Sequence, residues 1–394
     1  MAIKILIGGS PCTYWSIAQT NNRETEASGM GWELFKNYLI AKEKFKPDLF
    51  LYENNKSAAQ AIKDQIAHEL GVGTDPKVRF TYINSALVSA QNRQRFYVTN
   101  FGDIEQPEDR GILLKDILET GCADRDKARC VTSSVGRTTH REYLQKQQNT
   151  MAFEEVEWQT PCGQRNQEKA RTLTAGYACK SQRDLRKDIE TDGFMGAQGV
   201  IEPIYIGEVP EHNGTYRNGK PTKAISCADG KTYTVYEVKD GQITIKGKQY
   251  PIKLVDGYYI IRKLTVTECA RLQTMPDDYC RSVSDSQAYK ALGNGWTAEV
   301  IIHLLNHALK DVPRDEEIVV LSMYDGIATG RYCLDKMGFA NVKYHAYEID
   351  KYPITVAMDN YPDIIQYGDA FAVREDDWKA PQTQSEWLDE VLGA

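Results

Sequence analysis

Residues 3–7 are aliphatic apart from Lys4 and run straight into Gly8-Gly9, the pattern of a buried strand that ends in a loop. Trp32, Phe35 and Leu39 then recur at helical spacing ahead of Lys46-Pro47, which predicts an amphipathic helix, and residues 48–52 predict a short apolar strand. Ser57-Ala58-Ala59-Gln60 reads as a capping box, with Ile62, Ile66 and Leu70 on one helical face until Gly71 stops the helix. Strand, helix, strand, helix in succession implies a parallel sheet.

From about residue 106 the pattern changes to polar segments, glycine turns and short alternating runs such as 232–238 and 242–245, which predict a β- and loop-rich region. Helical periodicity returns after 262, opening on a second capping box, Thr265-Val266-Thr267-Glu268, and continuing with Val300, Ile301, Leu304 and Leu305. Beyond the polar connector 310–317, strand, tight loop, helix and strand are predicted over 318–324, 326–330, 331–337 and 342–347, and residues 385–392 are helix-compatible. The expected architecture is α/β, a doubly wound, mostly parallel sheet with an inserted β/loop-rich domain. The expected divisions are 1–105, 106–282 and 283–394.

The 394 residues suit two or three domains at roughly 150 residues each. No aliphatic run approaches the roughly 18 residues of a membrane span, and no leader-like segment precedes the first strand, so a cytoplasmic protein without a membrane partner is expected. Nine cysteines without a Cys-x-x-Cys pair indicate neither a disulfide framework nor a metal site. A net charge of -7, from 48 basic and 55 acidic residues, argues against indiscriminate coating of nucleic acid. A polyanion would have to meet a local basic surface. Residues 163–187 offer one, with Arg165, Lys169, Arg171, Arg183 and Arg186 among seven basic residues against two acids.

Candidate chemistry gathers at predicted strand ends, where open α/β sheets bind ligands. Tyr324-Asp325-Gly326-Ile327-Ala328-Thr329-Gly330 is a tight turn of small residues, and Glu348-Ile349 ends the next strand with an acid able to accept both ribose hydroxyls. Asp369 could accept from an adenine amino group. The absence of Gly-x-Gly-x-x-Gly disfavours a dinucleotide. At the other end of the chain, Gly8-Gly9-Ser10-Pro11-Cys12 holds a candidate thiol nucleophile, and Glu53-Asn54 and Gln91-x-Arg93-x-Arg95 supply a carboxylate and guanidinium groups. Thiol, carboxylate and guanidinium together suit attack on a ring carbon, protonation of a ring nitrogen and binding of a carbonyl oxygen.

These motifs resemble those of the DNA cytosine-5 methyltransferases, which use S-adenosylmethionine. The Pro11-Cys12 loop, Glu53-Asn54 and Gln91-x-Arg93-x-Arg95 are similar to three of the family's catalytic motifs. Arg262-x-Leu264-Thr265-x-x-Glu268-x-x-Arg271-Leu272-Gln273-x-x-Pro276-Asp277 and Leu292-Gly293-Asn294 are similar to two further ones, and Asp325 to Gly330, Glu348 and Asp369 to the cofactor motifs. The cofactor motifs usually come first, so the chain resembles a circularly permuted member. Thr13, Asn55 and Gly295-Trp296 depart from the commoner Gln, Val and Ser-Val.

The resemblance implies a sheet of the S-adenosylmethionine-dependent methyltransferase type and methylation of cytosine C5 in double-stranded DNA after the base is flipped out. It implies catalytic roles for Cys12, Glu53, Arg93 and Arg95. Cofactor binding is implied for Tyr324 through Gly330, Glu348, Ile349, Asp369 and Asn294, with no metal. Residues 106–282 become the target-recognition domain and the basic stripe its DNA contacts. A bacterial or phage-encoded monomer is expected, of the kind found in restriction–modification systems. A catalytically silent DNA-binding homologue and a tRNA cytosine methyltransferase are the alternatives.

Overall fold

The alternation of Leu6 with Ile7 places these two side chains on opposite faces of the first strand, β1 (Ile3–Gly8), and both are fully buried. In the computed structural model, which describes residues 2–16, 23–146, 149–156, 206–209, 222–226, 232–245 and 247–392, β1 lies near the centre of a seven-stranded sheet. The neighbouring strands along the chain are β2 (Leu49–Asn55), β3 (Arg79–Asn84), β4 (Gln91–Asn92) and β5 (Gln94–Thr99). Far downstream come β14 (Ile318–Met323), β15 (Val342–Tyr347) and β16 (Ile365–Gln366). The sheet order is β16-β15-β14-β1-β2-β5-β3.

Strands β16, β15, β14, β1 and β2 pair in parallel, with Ile3 opposite Ile318 and Gly8 opposite Met323. Strand β5 is antiparallel to both β2 and β3. The sheet is thus mostly parallel, as expected, with one reversed strand that hydrophobic periodicity does not reveal, because alternation is the same in either direction.

One face of the sheet carries Leu6, Tyr52, Phe96, Leu321 and Met323, packed with Phe35 and Tyr38 of α1 (Gly29–Phe45) and Ile62 and Ile66 of α2 (Gln60–Leu70). Burying each such side chain is worth about 1.5–3 kcal/mol. Helix α2 starts two residues later than the sequence pattern suggests and lacks a side-chain cap. Asn55 Oδ1 accepts the Ser57 amide instead, which holds the chain in a turn before the helix begins.

The remaining helices among the described residues are α3 (His140–Lys146), α4 (Val266–Leu272), α5 (Asp285–Asn294), α6 (Ala298–Leu309), α7 (Thr329–Lys336), α8 (Lys351–Asn360) and α9 (Gln384–Leu392). Helix α7 covers the other sheet face: a Cβ on Gly330 would strike Ile7 Cδ1 and the Tyr344 hydroxyl. Helices on both faces make the sheet doubly wound. Helix α4 opens on a complete capping box, Thr265 accepting from the Glu268 amide at 3.1 Å and Glu268 from the Thr265 amide at 2.8 Å.

The chain divides into two compact units. The first comprises residues 1–119, 125–151 and 263–394 and contains the seven-stranded sheet. The second comprises residues 120–124 and 152–262. Its described strands are β7 (Met151–Glu155), β8 (Ile206–Val209), β9 (Thr222–Ser226), β10 (Thr232–Lys239), β11 (Gln242–Ile245), β12 (Lys248–Pro251) and β13 (Gly257–Lys263), and β8 to β13 pair antiparallel. The ion pair between Arg262 and Glu154, at 2.8 Å, lies within it. Among the described residues no helix is long and apolar enough to cross a membrane.

Candidate active site

The ends of β1, β2 and β14 open on one cavity of about 550 Å³ in the first unit. The loop after β1 reaches it because Gly9 lets the backbones close together: a Cβ there would sit 2.5 Å from the Glu53 carbonyl oxygen. Asn54, fully buried beside it, donates through Nδ2 to the Ser10 carbonyl at 2.9 Å and to the Tyr52 hydroxyl at 3.2 Å. The Ser10 and Tyr52 hydroxyls are themselves 2.7 Å apart. The asparagine of Glu53-Asn54 therefore fixes the loop that carries Cys12. Pro11 and Thr13 line the cavity and Cys12 starts a single 3-10 turn between them; the Cys12 side chain lies outside the described residues.

Glu53 is nearly buried and its two carboxylate oxygens have different partners. Arg95 Nε forms an ion pair with Oε1 at 2.9 Å, and the indole Nε1 of Trp296 donates a hydrogen bond to Oε2 at 3.0 Å. Arg93 behaves differently. Its guanidinium turns mainly to the backbone, donating to the carbonyls of Val131 at 2.9 Å, Gly295 at 2.7 Å and Gly293 at 3.3 Å. Gln91 works beside it, accepting from the Val131 amide at 3.1 Å and donating to Gln273 Oε1 at 2.9 Å. Gln273 in turn donates to the Leu292 carbonyl at 2.6 Å. Gln91, Arg93 and Gln273, read from sequence as parts of two motifs, are one network that shapes residues 292–296.

Cys130 follows β6 (Ala128–Arg129), which pairs with β4, and its Sγ accepts from Arg93 Nη1 at 3.1 Å and lies 3.9 Å from Arg95 Nη2. Burial pushes the Cys130 thiol up, but the charges of Arg93 and Arg95 outweigh it and hold the thiol below its ordinary range.

On the far side of the cavity, the turn after β14 holds Tyr324 and Ala328 at φ of 61° and 59°, a left-handed conformation that costs a non-glycine residue on the order of 1–3 kcal/mol. The Tyr324 hydroxyl donates to the Leu34 carbonyl at 2.7 Å, which ties the turn to α1. Glu348 accepts at 2.8–2.9 Å from the amides of Gly326, Ile349 and Asp350, so three backbone donors orient its carboxylate. Asp325 Oδ1 accepts from the Ser322 and Tyr344 hydroxyls, each at 2.7 Å, whereas its buried Oδ2 has no hydrogen-bond partner among the described residues. Burial, against those two bonds and with the Glu348 charge, pushes the Asp325 carboxyl up to about 6.

Of the residues expected to hold a cofactor, Tyr324, Asp325, Gly326, Thr329, Glu348, Ile349, Asp369 and Asn294 line the cavity. Ile327, Ala328 and Gly330 do not; Ile327 and Ala328 are buried, and Gly330 packs α7 onto the sheet. Glu53, Arg93 and Arg95 line the same cavity. Arg165, Lys169, Arg171, Arg183 and Arg186 lie outside the described residues. Trp296 and Cys130 were not among the sequence candidates. An indole donor inside the Gly-Asn motif was the available signal for Trp296; Cys130 had none.

A parallel sheet in the order above, with one reversed strand near its edge and a ligand-sized cavity at the strand ends, defines an S-adenosylmethionine-dependent methyltransferase fold. The chain belongs to the C-5 cytosine-specific DNA methylase family, whose model matches residues 1–310, and it is a cytosine methyltransferase. It is 21% identical over 360 residues to the orphan methyltransferase M.SPRI of Bacillus phage SPR, spanning 75% of this chain and 80% of that protein. Among solved structures it is similar to the Entamoeba histolytica methyltransferase EhMeth, at 12% identity and a TM-score of 0.36 over 78% of each chain. It is also similar to a Spodoptera frugiperda DNMT2 mutant, at 13% identity and a TM-score of 0.37 over 77% of this chain and 79% of that one. Strand order and register, not these likenesses, carry the fold.

Proposed function

We propose that the protein methylates C5 of cytosine in a specific double-stranded DNA sequence, with the target base flipped out of the duplex into the cavity. The observation that carries this reading is the Glu53–Arg95 pair, 2.9 Å apart, lining the cavity together with Pro11 and Thr13 on either side of Cys12. Cys12 adds through sulfur to C6 of the ring. Glu53 hydrogen-bonds and protonates N3, and Arg95 holds the O2 side, so the electron pair released by addition collects at C5. C5 then takes the methyl group as the S–CH3 bond breaks and a neutral thioether leaves; loss of the C5 proton, expulsion of the thiolate and return of the N3 proton to Glu53 complete the turnover. Arg93 positions the surrounding backbone.

The cavity suits S-adenosylmethionine. Asp325, the pre-oriented Glu348 carboxylate and Asp369 line one side of it, where amino and ribose hydroxyl donors would meet acceptors. Tyr324, Ile349 and Asn294 complete that side. Bound there, the cofactor supplies an electrophilic methyl group.

Residues 106–282 are read as the target-recognition domain, with the basic stripe on phosphates. The motif order is read as circularly permuted, which fits a family match that stops at residue 310, before the cofactor turn.

The experiment is to incubate the protein with tritiated S-adenosylmethionine and either random-sequence duplex DNA or bulk tRNA, and to repeat it with Cys12→Ala. Label in DNA that is lost in the variant, and trapping on DNA carrying 5-fluorocytosine, are expected. Label in tRNA alone would transfer the reading to RNA, and label in neither would leave a silent homologue.

A further inference from the structure

We propose that Trp296 is a positioning residue for the base-contacting carboxylate: its indole N–H clamps Glu53 Oε2 while Arg95 clamps Oε1, and together they fix which lone pairs face the target base. The inference rests on the reading of Glu53 as that carboxylate. An ionised carboxylate has about four acceptor sites. Arg95 Nε pairs with Oε1 at 2.9 Å and Trp296 Nε1 donates to Oε2 at 3.0 Å, so each oxygen is held from one side and keeps acceptor capacity towards the cavity. Cytosine offers two neighbouring groups on that edge, the exocyclic amino group, which donates, and N3, which accepts the Glu53 proton, so a carboxyl group held in one plane meets both together.

Trp296 can serve as a clamp because its own backbone is anchored on both sides. The Gly295 carbonyl accepts from Arg93 Nη2 at 2.7 Å and from Gln273 Nε2 at 3.3 Å. Thr297 Oγ1 donates to Gln273 Oε1 at 2.9 Å. The indole brings a donor without a charge, so it orients the carboxylate while adding no second ion pair. Simple packing would need the ring but not its N–H, and that difference separates the two roles.

Trp296→Phe keeps an aromatic ring and removes the donor, and incorporation at 296 of the tryptophan analogue with sulfur in place of the indole N–H keeps the full shape. Both proteins are assayed for methyl transfer from tritiated S-adenosylmethionine to whichever polymer the wild type labels, alone and combined with Glu53→Gln. A loss of kcat of roughly tenfold or more is expected for each, the size of one hydrogen bond to a charged group, with cofactor affinity by calorimetry within about twofold. On the Glu53→Gln background the further loss should be under about twofold, because the group through which Trp296 acts is already changed. A sulfur analogue as active as wild type, or losses that multiply in the double variants, would overturn the proposal.

A second measurement needs no turnover. Carbodiimide labelling of the intact protein, read at the Glu53 peptide, should accelerate in the sulfur analogue relative to exposed Glu69. An unchanged rate would overturn the clamp even if the polymer substrate proved to be neither DNA nor tRNA.

Discussion

Lys4, the second residue of the first strand, is 3.0 Å from Glu386 in the last helix, so the end of the described chain folds back onto its beginning. The Ile3 amide also donates to the Glu317 carbonyl at 2.9 Å, and the Gln384 amide to the Glu317 side chain at 3.0 Å. If the motif order is permuted, the connector at 310–317 is the place where the chain can be reopened. A variant running from Val312 to Ala394, through a short linker to Met1 and on to Asp311, should fold and keep the methylation pattern of the parent. Sequencing of methylated positions in DNA treated with each form is the check, and a folded rearranged protein with a different pattern or none would count against it.

Arg93 donates to three backbone carbonyls from a buried position, a planar fork that a lysine ammonium cannot reproduce. Arg93→Lys is expected to lower stability by about 2–3 kcal/mol, the order of one or two bonds to a charged donor. Urea unfolding monitored by circular dichroism measures it. Stability equal to wild type would show that the fork is dispensable.

Asp325 gives a pH prediction. Its carboxyl is raised in the folded protein to about 6, from 3.8, by burial first and the Glu348 charge after it. A raised acid contributes stability that is complete below about pH 3.8 and lost as pH rises through about 6. Wild type should therefore lose on the order of 2–3 kcal/mol relative to Asp325→Asn between pH 4 and pH 7.5. Parallel urea titrations of both proteins across that window should show the gap, and curves that run parallel would remove the raised carboxyl.

Glu348 and Asp369 line the cavity with acceptors that backbone amides already orient, Asp369 through the Phe371 amide at 3.0 Å. Each changed to alanine should weaken S-adenosylmethionine binding by about 1–3 kcal/mol. Calorimetry on the nucleic-acid-free protein decides it; unchanged affinity in both would place the cofactor elsewhere.

Much of the framework is legible in the sequence because local pattern and burial agree there. The runs that become β1 and β14 are short, aliphatic and lead into glycine turns, those that become β2 and β15 are short with buried aromatic positions, and Thr265 to Glu268 forms its capping box as written. Ser57 does not, since Asn55, two residues earlier, competes for its amide. The partners of the site are harder to read. Trp296 meets Glu53 across 243 residues and Cys130 meets Arg93 across 37, and neither pairing leaves a periodic trace. Arg93 looked like a substrate group because guanidinium chemistry is the same whether it faces a carbonyl of the base or of the backbone.

The pairing of Ile3 with Ile318 has a temporal consequence. A ribosome adding about 5–20 residues per second releases the loop around Cys12 roughly 15–60 seconds before β14 exists to flank it. During that interval the nascent chain holds one edge of β1 unsatisfied, an open template for wrong partners. Loop closure across so long a separation is also entropically slow. Expression yield should therefore respond to elongation rate and chaperone supply more than the final stability alone suggests, and the enzyme should acquire activity only once its last strands are made.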